Sequence, residues 1–143
     1  MNLDYSIGLH IVGFLTSNNG QPATSVIMAK SFGTSPVVLR RVLSKLNQAG
    51  LVESKRGANG GNVLSRPANQ INLKQVYEAV CDNTQLFGRH PTASGVVSEI
   101  LGDYVNSFYA QAEQTLLAHL ESTTVADMDD KVSPLIKAAL NCQ

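Results

Sequence analysis

The chain reads SPVVLRRVLSKLNQAGLVESKRGANGGNVLSR from Ser35 to Arg66. Ser35 can accept a hydrogen bond from an open amide of a first helical turn, and Pro36 stands at the helical position where a missing N–H costs little. Apolar residues then recur at helical spacing, up to a glycine that can end the helix: Leu39, Val42, Leu43, Leu46 and Gly50. The sequence therefore predicts a helix with one apolar face, whose other side keeps a basic surface for a partner.

Two short strand patterns follow the helix and flank a glycine-rich segment. Residues 51–55 and 63–65 have strand character, and the segment between them, RGANGGN, contains three glycines. Such a segment permits a tight tip that can lie against a phosphate backbone, and Lys55 and Arg56 supply positive charge at its base. The pattern predicts a β-hairpin wing directly after the helix.

A shorter helix is predicted before Ser35. Thr24 or Ser25 can cap a helix that runs to about Phe32, and Gly33-Thr34 turns the chain into the next helix. This spacing is typical of a helix-turn-helix, in which the second helix enters the major groove by its N-terminal residues. Two helices and a hairpin could alternatively build nothing more than a small core, but their order favours a winged DNA-binding headpiece.

The two halves of this neutral chain carry opposite charge. Residues 1–70 hold seven Lys/Arg against two Asp/Glu, a net charge of +5, whereas residues 71–143 hold four Lys/Arg against nine Asp/Glu, a net charge of −5. The positive field therefore lies on the segment with the helix-turn-helix pattern, as expected for a partner that is a polyanion.

At 143 residues and 43% hydrophobic, the chain can bury one modest core with an extension attached. It has no apolar run of about 18 residues and no signal-peptide pattern at its start, so we expect a cytoplasmic protein without membrane contact. No catalytic triad, metalloprotease or phosphate-loop pattern occurs, so we expect no enzyme. Cys81 and Cys142 stand far apart, which predicts neither a disulfide framework nor a metal site.

The longest helical pattern runs from about residue 94 to residue 121. Its apolar stripe comprises Val97, Leu101, Tyr104, Phe108, Ala112, Leu116 and Leu120, of which the first six are the predicted dimerisation residues. A helix of about 27 residues is roughly 40 Å long, more than the headpiece can cover, so the stripe predicts a symmetric dimer. The alternative is a helix that folds back on its own core. A dimer would present two recognition helices to a pseudo-palindromic operator in double-stranded DNA.

The predicted fold is mainly α with a small β-hairpin wing, a winged helix-turn-helix plus a long dimerisation helix. We expect a headpiece at residues 1–81, a connecting loop at 82–95, and the dimerisation helix with a C-terminal segment at 96–143. The first helix is predicted from about Tyr5 to Ser17, with Ile7, Ile11, Phe14 and Leu15 facing inward. The segment after Thr123 has the pattern of one or two short helices, which the sequence does not place.

The order of these motifs supports a family resemblance. It is carried by Ser35-Pro36, Leu39-Arg40, Ala49-Gly50-Leu51-Val52, Ser54-Lys55-Arg56-Gly57, Gly60-Gly61, Ile71-Asn72-Leu73 and Tyr77-Glu78-Ala79-Val80. Over about residues 5–81 the chain resembles the Rrf2 family of bacterial winged-helix regulators. The resemblance implies a homodimer whose third helix reads the major groove and whose wing reaches the minor groove.

Pattern and resemblance together define the expected DNA-binding residues. They are Thr24, Ser35, Val37, Val38, Arg40, Arg41, Lys45, Lys55, Arg56, Asn59 and Gly60. Among them, the resemblance assigns the minor-groove contact to Arg56. Many members have an aromatic residue at the position of Val38 and a tyrosine at the position of Asn62, so the operator sequence cannot be transferred from relatives.

The chain also departs from the pattern of members that bind an iron–sulfur cluster. By resemblance, those members carry three closely spaced cysteines in the loop before the long helix, whereas residues 82–94 contain none. Cys81 precedes this loop and His90 lies within it. One thiol and one imidazole cannot hold a cluster that needs about four protein ligands. The sequence therefore predicts a member without cluster, metal or other cofactor.

The sequence offers two candidate residues for sensing a regulatory signal. Cys81 is a candidate redox-sensing thiol, but a small buried hydrophobe is favoured at the end of a helix. His90 is a candidate sensor, with a solvated loop histidine as the favoured interpretation. We expect a homodimeric, sequence-specific transcriptional regulator, a repressor rather than an activator. The alternatives are a winged-helix protein-interaction module and a thiol redox regulator that acts through Cys81.

Overall fold

The computed structural model describes residues 3–81 and 94–142. Its elements are α1 Leu3–Ser17, α2 Ser25–Phe32, α3 Pro36–Gln48, β1 Val52–Lys55, β2 Gly61–Leu64, a short 3-10 turn Ala68–Gln70, α4 Leu73–Val80, α5 Val96–Glu121 and α6 Val125–Asn141. The mostly helical architecture with one antiparallel hairpin confirms the predicted fold class. His90 and most of the predicted connecting loop lie outside the described residues.

The core of the headpiece lies where α1, α3 and α4 pack together. The apolar face predicted for α3 is confirmed, because its four apolar residues are all buried. In α1, Ile7, Ile11 and Leu15 are buried as predicted, but Val12 is fully buried as well. Phe14, predicted to face inward, is only partly buried and packs edge-on against Phe32 of α2, with ring centroids 5.7 Å apart. The inward face of α1 is therefore shifted slightly from the predicted one.

Side-chain caps fix the two helices of the helix-turn-helix. The backbone N–H of Ile27 donates to Thr24 Oγ1 at 3.3 Å, and that of Val38 donates to Ser35 Oγ at 3.3 Å. Gly33 ends α2 in the left-handed conformation, at φ 64°. These contacts confirm the predicted caps, and they set the direction in which the first turn of α3 leaves the core.

The wing is anchored to the segment between α1 and α2. Strands β1 and β2 pair in register from Val52 with Leu64 to Lys55 with Gly61. An isolated bridge then joins Asn62 to Ala23, through N–O distances of 2.8 and 3.1 Å, and the Asn62 amide side chain donates to the Ala23 carbonyl at 3.1 Å. The hairpin therefore stands in a fixed position beside the two helices.

The segment after Thr123 forms a single helix, α6, and hydrogen bonds join its start to the headpiece. The Leu73 N–H donates to the Thr123 carbonyl at 2.9 Å, and the Val125 N–H donates to the Ile71 carbonyl at 2.8 Å. Asp127 completes a capping box with Thr124, whose backbone N–H lowers the pKa of the Asp127 carboxyl. Fully buried Val125 joins the headpiece core, so residues of the predicted C-terminal segment contribute to it.

Most of α5 extends beyond this core. Its C-terminal end packs against α4 through Leu117 and Leu120, and the Lys74 ammonium lies 3.3 Å from a Glu121 carboxylate oxygen. The predicted stripe on the preceding turns is largely exposed: Val97 at 80%, Leu101 at 54%, Tyr104 at 68%, Phe108 at 56% and Leu116 at 39%, with Ala112 half-buried. Large apolar side chains on the second half of α6 are exposed too, among them Leu135 and Leu140.

Candidate nucleic-acid interface

The first turn of α3 is an exposed helix N-terminus. Ser35 and Val37 are exposed and Val38 is half-buried, while the fully buried Leu39 anchors this turn in the core. Thr24 is also exposed, at the start of α2. The positive end of the helix dipole makes such an N-terminus favourable for a polyanion.

Arg40 connects this turn to α2 and to the wing. Its Nε donates to Ser25 Oγ at 3.2 Å. Both residues line an open cleft of about 330 Å³ between α2, α3 and the hairpin, and Ser44 and Asn62 lie in its walls as well. The cleft therefore holds one cation and several neutral hydrogen-bonding groups at the junction of the recognition helix and the wing.

Arg41 and Lys45 face another side of α3. The Arg41 Nη2 lies 2.5 Å from Asp4 Oδ1, and the Lys45 Nζ lies 3.2 Å from Asp4 Oδ2 and 3.1 Å from the Val80 carbonyl oxygen. The Arg41 side chain is 59% exposed, but that of Lys45 is only 21% exposed. The predicted single basic face of α3 thus needs correction: Lys45 is directed at α1 and α4, because Asp4 and the end of α4 bind its ammonium.

The wing presents its predicted residues with unequal exposure. Lys55, Arg56 and Asn59 are exposed, whereas Gly60 is half-buried. Asn62 has a structural part that the sequence did not reveal, since it accepts a hydrogen bond from Ser54 at 3.3 Å and anchors the hairpin to Ala23. The sequence also did not reveal that Ser25 and Ser44 line the cleft. No periodicity marks a polar residue whose neighbours in space are distant in sequence.

Cys81 lies in an apolar environment at the end of α4. It is 6% exposed and belongs to the headpiece core. Nearby, the rings of Tyr5 and Tyr77 meet edge-on with centroids 5.4 Å apart, and burial is the main reason why the pKa of Tyr5 is raised to about 12. These surroundings favour the interpretation of Cys81 as a small core residue over a reactive thiolate.

The cysteines do not fit an iron–sulfur cluster. The whole sequence has two of them, and Cys142 is exposed at the end of α6 while Cys81 is buried beside α4. In the part of the chain that the structure describes, no three His, Cys, Asp or Glu side chains lie together in a group that could hold a metal ion. Two thiolates would leave such a cluster short of about half its usual ligands.

The fold and the exposed helix-wing face define a winged-helix transcriptional regulator that binds DNA. The chain belongs to the Rrf2 family, since the family model, described as an iron-dependent transcriptional regulator, matches residues 1–131. Over residues 3–81 and 94–142, no helix is both long and apolar enough to span a membrane. The predicted family and DNA-binding class are thereby confirmed.

Relatives and solved structures agree with this assignment. YwnA of Bacillus subtilis, named as a candidate HTH-type transcriptional regulator, is 27% identical over 130 residues, which cover 90% of this chain and 96% of YwnA. The HTH-type transcriptional regulator IscR of Cereibacter sphaeroides is 35% identical over 94 residues, 63% of this chain and 59% of IscR. The structure of CymR, the global cysteine regulator of B. subtilis, has the same fold, with a TM-score of 0.71 at 22% identity, covering 92% of this chain and 96% of CymR.

Proposed function

We propose that this protein is a homodimeric, sequence-specific repressor that binds a pseudo-palindromic operator without an iron–sulfur cluster. The observation that carries the proposal is the exposed first turn of α3 beside a basic, anchored wing, within the half of the chain whose net charge is +5 by the residue counts above. A dimer bound across a promoter can repress by occlusion alone, whereas activation needs a further surface for the transcription machinery.

The proposed DNA contacts divide into base-reading and backbone contacts. We assign the base edges to the first turn of α3, and the minor groove to Arg56 at the wing. Arg40, held in the cleft beside Ser25, is suited to the phosphate backbone that passes between the two grooves. The full proposed set is Thr24, Ser35, Val37, Val38, Arg40, Arg41, Lys55, Arg56, Asn59 and Gly60. Lys45 is left out because its ammonium is bound inside the headpiece.

The proposed dimer uses the exposed stripe of α5. Large apolar side chains on a surface in contact with water are costly, and a contiguous group of them marks an interaction surface. A second copy of the same helix would cover Leu101, Tyr104 and Phe108 and place two recognition helices on one side of the assembly. A protein-interaction module remains the alternative function. The two differ in the salt dependence of binding, because each phosphate contact releases condensed counterions and DNA binding therefore weakens steeply as salt is raised.

We expect Arg56→Ala to weaken operator binding by about 1–3 kcal/mol, because an arginine in a narrow minor groove meets concentrated negative potential. The operator is first obtained by selection from a random DNA pool with the purified protein, and affinities are then measured at one fixed salt concentration. Lys137→Ala removes the same charge from exposed α6 and should bind as wild type. Equal affinities for the Arg56→Ala protein and the wild type would refute the wing contact.

The purified protein is expected to be colourless, to contain no iron and to bind its operator without cluster reconstitution. The reason is the ligand count, since Cys81 and Cys142 cannot supply about four thiolates. Iron and acid-labile sulfide are measured after anaerobic purification, together with operator affinity. Stoichiometric iron and sulfide would contradict the prediction.

A further inference from the structure

Val37 is an apolar side chain in an unusual place. It is the second residue of α3 and is 71% exposed, whereas the adjacent Val38 is half-buried and the apolar residues from Leu39 onward are buried. The preceding Ser35 caps the helix by accepting the Val38 N–H at 3.3 Å, which fixes the backbone on both sides of Val37. An isopropyl group therefore projects into solvent from the end of the helix that, by the proposed function, enters the major groove.

The chemistry of the major groove offers one partner for such a group. Base edges there present hydrogen-bond donors and acceptors, which an isopropyl group can only desolvate, and a single apolar feature, the 5-methyl group of thymine. A β-branched side chain on a helix has few rotamers to lose when it packs. Val37 therefore combines apolar character, exposure and rigidity at a position where a methyl group can be recognised.

We propose that Val37 reads the 5-methyl group of one thymine in each operator half-site. The inference rests on the proposed function and goes beyond it, because it names the base, the atom on that base and the residue that recognises it. It makes part of the sequence preference hydrophobic rather than hydrogen-bonded. A thymine is then favoured over every base without a 5-methyl group at that position.

Val26 provides a matched control. It is the second residue of α2, as Val37 is of α3, and it is 56% exposed. The first helix of a helix-turn-helix crosses the backbone rather than the base edges. Substitution of Val26 should therefore leave the preference for thymine unchanged, although both valines are exposed and neither belongs to the core.

In the test, the thymines of the selected operator are replaced by deoxyuridine one at a time, which removes one methyl group and leaves base pairing unchanged. Binding of wild type, Val37→Ala and Val26→Ala is measured at one salt concentration. At one thymine in each half-site, a single substitution should lower the affinity of the wild type about fourfold, as expected for the loss of one buried methyl group. Val37→Ala should bind the thymine operator more weakly and show a smaller difference between thymine and deoxyuridine than the wild type, because its single methyl group covers less of the thymine methyl group. Val26→Ala should keep the fourfold difference.

The possible failures are separable. If no deoxyuridine substitution weakens the wild type, or if Val37→Ala keeps the full thymine preference, the inference is overturned while operator binding stands. If the protein selects no DNA at all, the proposed function fails and this inference fails with it. Circular dichroism of both variants confirms folding, which exposed valines on a capped helix should not disturb.

Discussion

Phe108→Asp is expected to separate the proposed dimer into monomers at micromolar concentration and to abolish specific operator binding. Phe108 is 56% exposed in the protomer, and Tyr104, one helical turn away, is 68% exposed. Buried aromatic residues tend to dominate the energy of an interface, and an unpaired charge placed there costs about 3–5 kcal/mol. A single half-site offers too little basic surface for specific binding, so loss of the dimer should remove operator binding even though Arg40 and Arg56 are intact.

Ala110→Asp is the matched control for this experiment. Ala110 is exposed two positions further along the same helix, and at 3.6 residues per turn it lies on the side opposite Phe108. The Ala110→Asp protein carries the same added charge, but it should behave like the wild type in its oligomeric state and in operator binding. Sedimentation and operator binding are measured on both variants. A folded Phe108→Asp protein that stayed dimeric and fully competent would move the interface to another surface, such as the exposed second half of α6.

The features that were predicted correctly from the sequence are determined by neighbours a few residues apart. The apolar face of α3 follows from its periodicity, and its start follows from Ser35 and Pro36. Gly50 stands in the left-handed conformation just beyond the helix, at φ 73°. Each of these signals specifies local backbone conformation, so it can be recognised without knowing which parts of the chain meet in space.

The features that the sequence did not reveal are contacts between residues distant in sequence. Lys45 carried the pattern of a DNA-binding face, but its side chain is only 21% exposed and its ammonium is bound by Asp4 on α1 and by the Val80 carbonyl at the end of α4. In the same way, the bridge between Asn62 and Ala23, and that between Asn72 and Thr124, join segments whose sequences give no indication of pairing. Amphipathicity shows which side of a helix is polar, but the partner of each charge depends on the packing of other elements.

Gly61→Ala is expected to destabilise the protein by about 2–5 kcal/mol, because it combines backbone strain with a steric clash. Gly61 has φ 151°, a conformation that residues with a Cβ rarely adopt. A Cβ at this position would lie 2.7 Å from the Ala23 carbonyl carbon and 2.8 Å from the Ala23 N and O. The clash involves backbone atoms, so the wing must move away from Ala23, and Arg56 should lose the position from which we propose that it contacts the minor groove.

Gly57→Ala separates strain from clash in this prediction. Gly57 lies at the tip of the same wing with φ 110°, but an added Cβ would meet nothing within 4 Å. It should cost only the strain of about 1–3 kcal/mol and leave the anchor between β2 and Ala23 intact. Urea unfolding gives the two stabilities, and operator affinity is measured under conditions where both variants are folded. We expect Gly61→Ala to be the less stable variant and the weaker binder. Equal stability and equal affinity of the two would show that the close approach to Ala23 does not hold the wing in place.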